Sequence, residues 1–207
     1  MIKRFSIERS IHILAYLQER TSIHESHRLL KLVYFAERYS MRTYAIPLTY
    51  DRYIAMDSGP VGCFFSDLVH MNLKFIATLS KAEKLMVSKG LERIGEDHIK
   101  ATIPFDPNYV SESDIESLDY AIATFSRFKR TQLEEVSREY PEWKKYSASI
   151  SDRSTLIPIS YEAFFDDPQP MEYFALHRYF KGKDPYQTEK VELLALKTQF
   201  MIQCTRT

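Results

Sequence analysis

Between residues 29 and 44 the apolar positions Leu29, Leu32, Val33, Ala36 and Tyr39 recur at steps of three and four, and Leu30, Tyr34 and Met41 widen the stripe. The spacing predicts a helix that is apolar over more than half its circumference, and such a helix belongs in the middle of a fold. Pro47 ends it, residues 48–56 read as strand, and Asp57-Ser58-Gly59-Pro60-Val61 forms a tight junction. Proline suits the first turn of a helix and Asp57 or Ser58 can cap it, so a short helix carrying Phe64, Phe65, Leu68 and Met71 is expected from 61 to about 71. Upstream, Ile7, Ile11, Leu14 and Leu17 keep helical spacing and Thr21-Ser22 breaks it, which makes a helical hairpin with the central helix.

Downstream the pattern weakens between 72 and 104, where only residues 91–94, Gly95-Glu96-Asp97 and residues 98–103 stand out as run, turn and run, a β-hairpin signal. From 111 the helical signals return. Ser113 and Glu116 are spaced as a capping box before the face Ile115, Leu118, Ile122, Phe125 and Phe128, predicting a helix to about 129. Thr131 and Glu134 repeat the device ahead of Leu133 and Val136, and Pro141-Glu142-Trp143 starts a further turn with Trp143 expected as a core plug. Asp166-Asp167-Pro168-Gln169-Pro170 reads as a linker. Beyond it lie an aromatic stretch with Tyr173, Phe174, Tyr179 and Phe180, a Gly182 stop, and a helix with Val191, Leu194, Ala195 and Met201 at helical steps. Two helices bury little by themselves, so this tail must dock on the main domain, pair with a second copy of the chain, or meet a partner.

The resulting expectation is a mainly α (α+β) protein: a multi-helix domain with a small β-hairpin or sheet over residues 1–165, and a C-terminal helical extension over 166–207. With 207 residues, 44% of them hydrophobic, the chain can bury a sizeable core. Its 28 basic and 28 acidic residues cancel, so no overall field draws it to nucleic acid or to an anionic membrane. Cys63 and Cys204 form no Cys-x-x-Cys pair, which fits a reduced, cytoplasmic setting, and no segment reads as a membrane span or a secretory leader.

Candidate chemistry fails on spacing. His24-Glu25-Ser26-His27 approaches the zinc-protease helix with its histidines three apart in place of four, and reads as a solvated helix start. No serine sits in Gly-x-Ser-x-Gly, one glycine precedes Pro60 without the Lys-Ser/Thr of a phosphate loop, and Asp166-Asp167 lacks further ligands, so neither catalysis nor a metal or cofactor is expected. The second helix carries Glu25, Arg28, Lys31, Glu37 and Arg38 as mixed charges where a groove-reading helix clusters Arg and Lys, so nucleic acid is not the expected partner. A hairpin beside helices also occurs in winged-helix proteins, which leaves a DNA-binding regulator as the alternative function. The basic runs 127–130, 144–145 and 178–183 each have acids nearby and read as solvated helix faces.

The stretch Leu29-Leu30-Lys31-Leu32-Val33-Tyr34-Phe35-Ala36, followed by Pro47-Leu48, Asp51-Arg52-Tyr53-Ile54-Ala55 and Gly59-Pro60-Val61, resembles the signature of the SocA-like or Panacea antitoxin domain. Ser113, Glu116, Leu118-Asp119, Leu133-Glu134 and Pro141-x-Trp143 are similar to its closing part, so the resemblance spans about residues 28–143. Met56 and Ser58 stand where the family often has Trp and an aromatic. The resemblance implies a mostly helical, non-enzymatic antitoxin, often carried by prophages and mobile elements beside a toxin gene. Its implied partners are a cognate toxin encoded nearby and, in some branches, a protease that receives the toxin; a homo-oligomer is a further option. Tyr34, Asp51, Gly59, Pro60, Val61 and Trp143 are then signature residues of the architecture. The tail aromatics Tyr173, Phe174, Tyr179 and Phe180 are the expected partner contacts, because a domain that meets unrelated toxins needs a variable surface.

Overall fold

A computed structural model describes residues 4–152, 155–167 and 190–205. Helix α1 (Ile7–Thr21) opens on Ser6, whose hydroxyl accepts the Arg9 amide, and stops at Ser22 in the left-handed region. Helix α2 (Ser26–Tyr44) starts three residues before the apolar run, because Glu25 bridges to His98 and Ser26 donates its amide to the Asp97 carbonyl. It runs through the centre and is met by elements on several sides. Helix α1 packs on later parts of the chain, so the two helices act less as an isolated hairpin than as two walls of one core.

The strand expected over 48–56 is shorter. Glu37 takes the amides of Leu48 and Thr49, which removes them from any ladder, and Tyr50 adopts a left-handed φ of 54°, so β1 is only Tyr53–Met56. Asp57-Ser58 turns the chain into β2 (Gly59–Gly62), antiparallel to β1 with Met56 opposite Gly59 and Tyr53 opposite Gly62. Gly59-Pro60-Val61 is therefore strand, and the expected proline-started helix is corrected to α3 (Cys63–Val69). Proline is tolerated because β2 is an edge strand of the sheet β2-β1-β5, where β5 (Ile157–Ile159) closes the other side. Asp57 and Ser58 do not cap α3. Asp51 does, from the far side of the hairpin, its carboxylate accepting the amides of Phe64 (2.9 Å) and Phe65 (2.7 Å).

Two short helices, α4 (Leu73–Thr78) and α5 (Lys81–Gly90), occupy the stretch where periodicity is weak. The second opens on a Ser80/Glu83 capping box that is visible in the sequence. The expected hairpin forms as β3 (Leu91–Gly95) and β4 (His98–Ala101), turning at Glu96-Asp97.

Helix α6 (Glu112–Phe125) is capped by Ser111 with Asp114, two residues upstream of the expected pair, and it ends four residues earlier than its apolar face implies. It lies along α2, with Phe35 stacked on Phe125 at 3.9 Å and Tyr39 on Tyr120 at 4.4 Å. Helix α7 (Arg130–Arg138) begins one residue before Thr131, with the Lys129 amide donating to the Gln132 side chain, and α8 (Pro141–Lys144) has its proline at the first position. A 3-10 turn (Tyr161–Phe165) and the last helix (Lys190–Thr205) follow, Phe200 resting against the rings of Tyr161 and Phe165. Among the described residues no helix is long and apolar enough to cross a membrane.

Candidate functional site

The residues singled out in the sequence converge where the β1–β2 hairpin meets α2, α7 and α8. Lys31, on α2, is 2% exposed and donates to the Pro60 carbonyl at 3.1 Å. Gly59 has φ +99°, and a side chain there would strike Ser137 Oγ on α7 and Lys31 Nζ, so only glycine lets the hairpin come this close. Burial pushes the Lys31 ammonium down to about 7; Glu134 pulls it back, and Arg138 and Arg130 add to the fall. His27 faces Glu134 at 3.1 Å, yet burial, with Lys31 and Arg130, lowers it to about 4. Val61, the remaining member of the Gly-Pro-Val motif, is buried in the core.

One turn along α2, Tyr34 and Arg38 both donate to Glu142, a carboxylate with no solvent exposure. Arg38 also lies 4.2 Å over the Tyr140 ring, and burial followed by the charge of Glu142 raises the Tyr34 hydroxyl well above its ordinary range. Pro141 starts α8 so that Glu142 points inward and Trp143 lies against the hairpin, its Nε1 donating to the Met56 carbonyl at 2.8 Å. The expected core plug is thus misplaced by one residue: Trp143 is half-buried, and Glu142 is the group sealed inside. Arg42, also fully buried, donates to the carbonyls of Phe164 (3.3 Å) and Asp166 (3.1 Å) and pairs with Asp167 at 2.7 Å.

Between Tyr34 and Arg38 on the same helix, Glu37 accepts from the amides of Leu48 and Thr49 (2.9 Å each), the Thr49 hydroxyl (2.6 Å) and the Tyr53 hydroxyl (3.3 Å). Burial raises it to about 7 while the Thr49 hydrogen bonds act against the rise. Asp51, 2% exposed, accepts three amides, from Arg52, Phe64 and Phe65, and burial lifts it to about 6 against their pull. Gly62 is required beneath it, since a Cβ at that position would meet the Asp51 carboxylate. The carbonyl of Asp51 accepts from Tyr161, which ties the 3-10 turn to the same hub.

Chemically this arrangement fastens. Tyr34, Asp51, Gly59, Pro60, Val61 and Trp143 are brought together around one hairpin, Glu37, Arg38 and Glu142 join them, and Arg42 fastens the 164–167 segment to the same helix. Glu37, Arg38, Arg42 and Glu142 read in sequence as mixed surface charge or were passed over. The signal was present: charges on a helix that is apolar over most of its circumference must partly face inward. The same burial keeps α2 out of a nucleic-acid groove, since Lys31, Arg38 and Arg42 are all inside. His24 and His27 do not assemble a metal set; among the described residues no group of three or more His, Cys, Asp or Glu is placed to hold one. Arg130 and Lys144, from two of the basic runs, sit in ion pairs with Glu134 and Glu139. The tail aromatics Tyr173, Phe174, Tyr179 and Phe180 lie outside the described residues.

Comparison with curated proteins and with solved structures returns no match. The family model described as "Antitoxin SocA-like, Panacea domain" matches residues 29–144, from the first turns of α2 to the end of α8. That span contains the hairpin, the α2 charges, Asp51 and Glu142, and more than half of the chain, so this protein belongs to the SocA-like antitoxin family with a Panacea domain.

Proposed function

We propose that the protein is an antitoxin that neutralises a cognate toxin, encoded nearby, by binding it directly. The observation that carries this reading is the family match over residues 29–144. Its physical support is that the polar groups of the matched core are turned on one another. Lys31, Glu37, Arg38 and Glu142 hold the hairpin and α8 on α2, and Asp51 ties the start of α3 to the foot of the hairpin, which makes a rigid scaffold whose outer surface remains for a partner. The same reading divides the chain into a body, residues 1–165, and an extension, residues 166–207, in which Phe200 has a packing role.

The test is co-expression of the open reading frame adjacent to this chain's gene, with and without this chain. Growth arrest by the neighbour alone, relieved by this chain and accompanied by a stable complex in pull-down, is the expected result. A harmless neighbour, or relief without a complex, overturns direct neutralisation. Sequence-specific binding to the upstream DNA with no effect on the neighbour would favour the regulator.

A further inference from the structure

We propose that the α4–α5 segment is the docking surface for the toxin, and that it selects a protein face that is apolar at the centre and acidic at the rim. The inference rests on the antitoxin reading above and says where and how that contact is made. None of the six residues of α4 is buried, and Leu73 at its start is 81% exposed. Leu85 on α5 is 53% exposed and Ile94 on β3, just beyond it in the chain, 47%. Of the six large apolar side chains exposed among the described residues, three fall within positions 73–94. A single exposed leucine is ordinary; one on each of two consecutive short helices, joined by the Lys84–Ala77 hydrogen bond and followed by Ile94 on the next strand, offers a contact surface.

Helices of six and ten residues do not stand on their own propensity. These are held from behind and at their ends. Asn72 accepts the Lys74 amide and donates to Asp67, Phe75 stacks on Phe64 at 5.8 Å, and Lys84 donates to the Ala77 carbonyl at 2.9 Å. Ser80 and Glu83 close the capping box of α5, and Gly90 lies against Ile11 of α1. The devices fix both helices while leaving Leu73 and Leu85 outward, so the exposure is built in and the surface is preorganised for a partner.

Charge defines the partner's rim. Between residues 72 and 90 stand Lys74, Lys81, Lys84 and Lys89 against the single acid Glu83, in a chain whose net charge is zero. Glu83 is engaged by Ser80, and Lys81, Leu85 and Lys89 follow at four-residue steps along one face of α5. A leucine flanked by lysines on a fixed helix complements a hydrophobic contact ringed by carboxylates.

The experiment uses the full chain and the product of the adjacent open reading frame as the probe, by titration calorimetry at low and high salt and by growth rescue. Three variants are compared: Leu73→Asp with Leu85→Asp, Lys81→Glu with Lys89→Glu, and Leu156→Asp, an exposed leucine elsewhere, as control. The first pair is expected to melt like the wild type, to bind at least about tenfold more weakly and to lose rescue. The charge reversal should bind more weakly at low salt, with the difference shrinking as salt rises. The control should bind as the wild type does. Unchanged binding and rescue by the first two variants overturns the docking surface while leaving the antitoxin reading intact. Failure of the wild type itself to bind or rescue overturns that reading, and this inference with it. Two further results would overturn the proposal: loss of self-association in place of toxin binding, or toxin-independent binding of the wild type to phosphatidylglycerol vesicles that the variants lose.

Discussion

Helix α2 and the α4–α5 segment invert each other. In α2 the charged side chains Lys31, Glu37, Arg38 and Arg42 are buried, whereas α4 and α5 expose Leu73 and Leu85. Residue type alone decides neither case. A buried charge persists where the surroundings supply partners in fixed geometry, and each α2 charge has them: Pro60, the Leu48-Thr49 amides, Glu142, and the 164–167 segment. An exposed leucine persists where short-range caps and one-sided packing already hold its helix. The first region therefore answers to stability, and the second to whatever it touches.

The largest effect should come from breaking the deepest pair. Glu142→Leu leaves Arg38 charged and buried and removes the acceptor of the Tyr34 hydroxyl, so a loss of about 3 to 5 kcal/mol is expected in urea denaturation. Arg38→Met combined with Glu142→Leu should lose less than Glu142→Leu alone, because no unpaired charge remains. If the double variant is the less stable of the two, the pair contributes through more than mutual neutralisation.

Next comes Gly59→Ala, which combines a left-handed φ with a Cβ driven into Ser137 Oγ and Lys31 Nζ; about 2 to 4 kcal/mol should be lost. Adding Ser137→Ala should restore part of this, the remainder being backbone strain. A thermal melt equal to that of the wild type would show that the hairpin can shift outward at little cost.

These interactions mark what the sequence could and could not disclose. Helix α2, the hairpin at 91–103 and the capped helix near 112 leave local traces, in periodicity, turn residues and caps, and they were legible. The hub was legible only as a set of residues. Asp51 caps α3 from 13 and 14 residues away, and Glu142 meets Tyr34 and Arg38 across 108 and 104 residues, distances at which no spacing rule operates. Residues 48–52 are not strand for a similar reason: Glu37 takes the amides of Leu48 and Thr49, and Tyr50 turns left-handed. Helices α4 and α5 leave little trace because their apolar residues are split between the core side (Phe75, Ile76, Met86, Val87) and the outside (Leu73, Leu85) and make no clear stripe, although Ser80 and Glu83 announce the start of α5.

The pH dependence separates the α2 charges from one another. Folding lowers Lys31 from 10.5 to about 7, so between these values the unfolded chain binds the extra proton and stability rises with pH across that window. Glu37 is raised from 4.5 to about 7, so there the folded chain binds the extra proton and stability falls as pH climbs through that interval. Thermal melts of the wild type should show a gain from pH 7.5 to 9.5, and Lys31→Met should flatten it. An unaltered alkaline gain in that variant would assign the slope to another group.

The smallest effect is expected where sequence intuition would place a large one. Replacing Leu73 or Leu85 by Gln removes an apolar side chain from a helix, a change that costs several kcal/mol in a core. Here both side chains are more than half exposed, so little buried area is lost, and the long polar side chain retains good helix propensity. Stability should change by no more than about 0.5 kcal/mol in either direction. Chemical denaturation of the full chain measures this directly. A loss of about 2 kcal/mol would mean that another part of the same chain covers these leucines in solution, and the contrast between α2 and the α4–α5 segment would then disappear. A near-zero change, set beside the loss expected for Glu142→Leu, would show that this fold depends more on charged residues inside than on leucines outside.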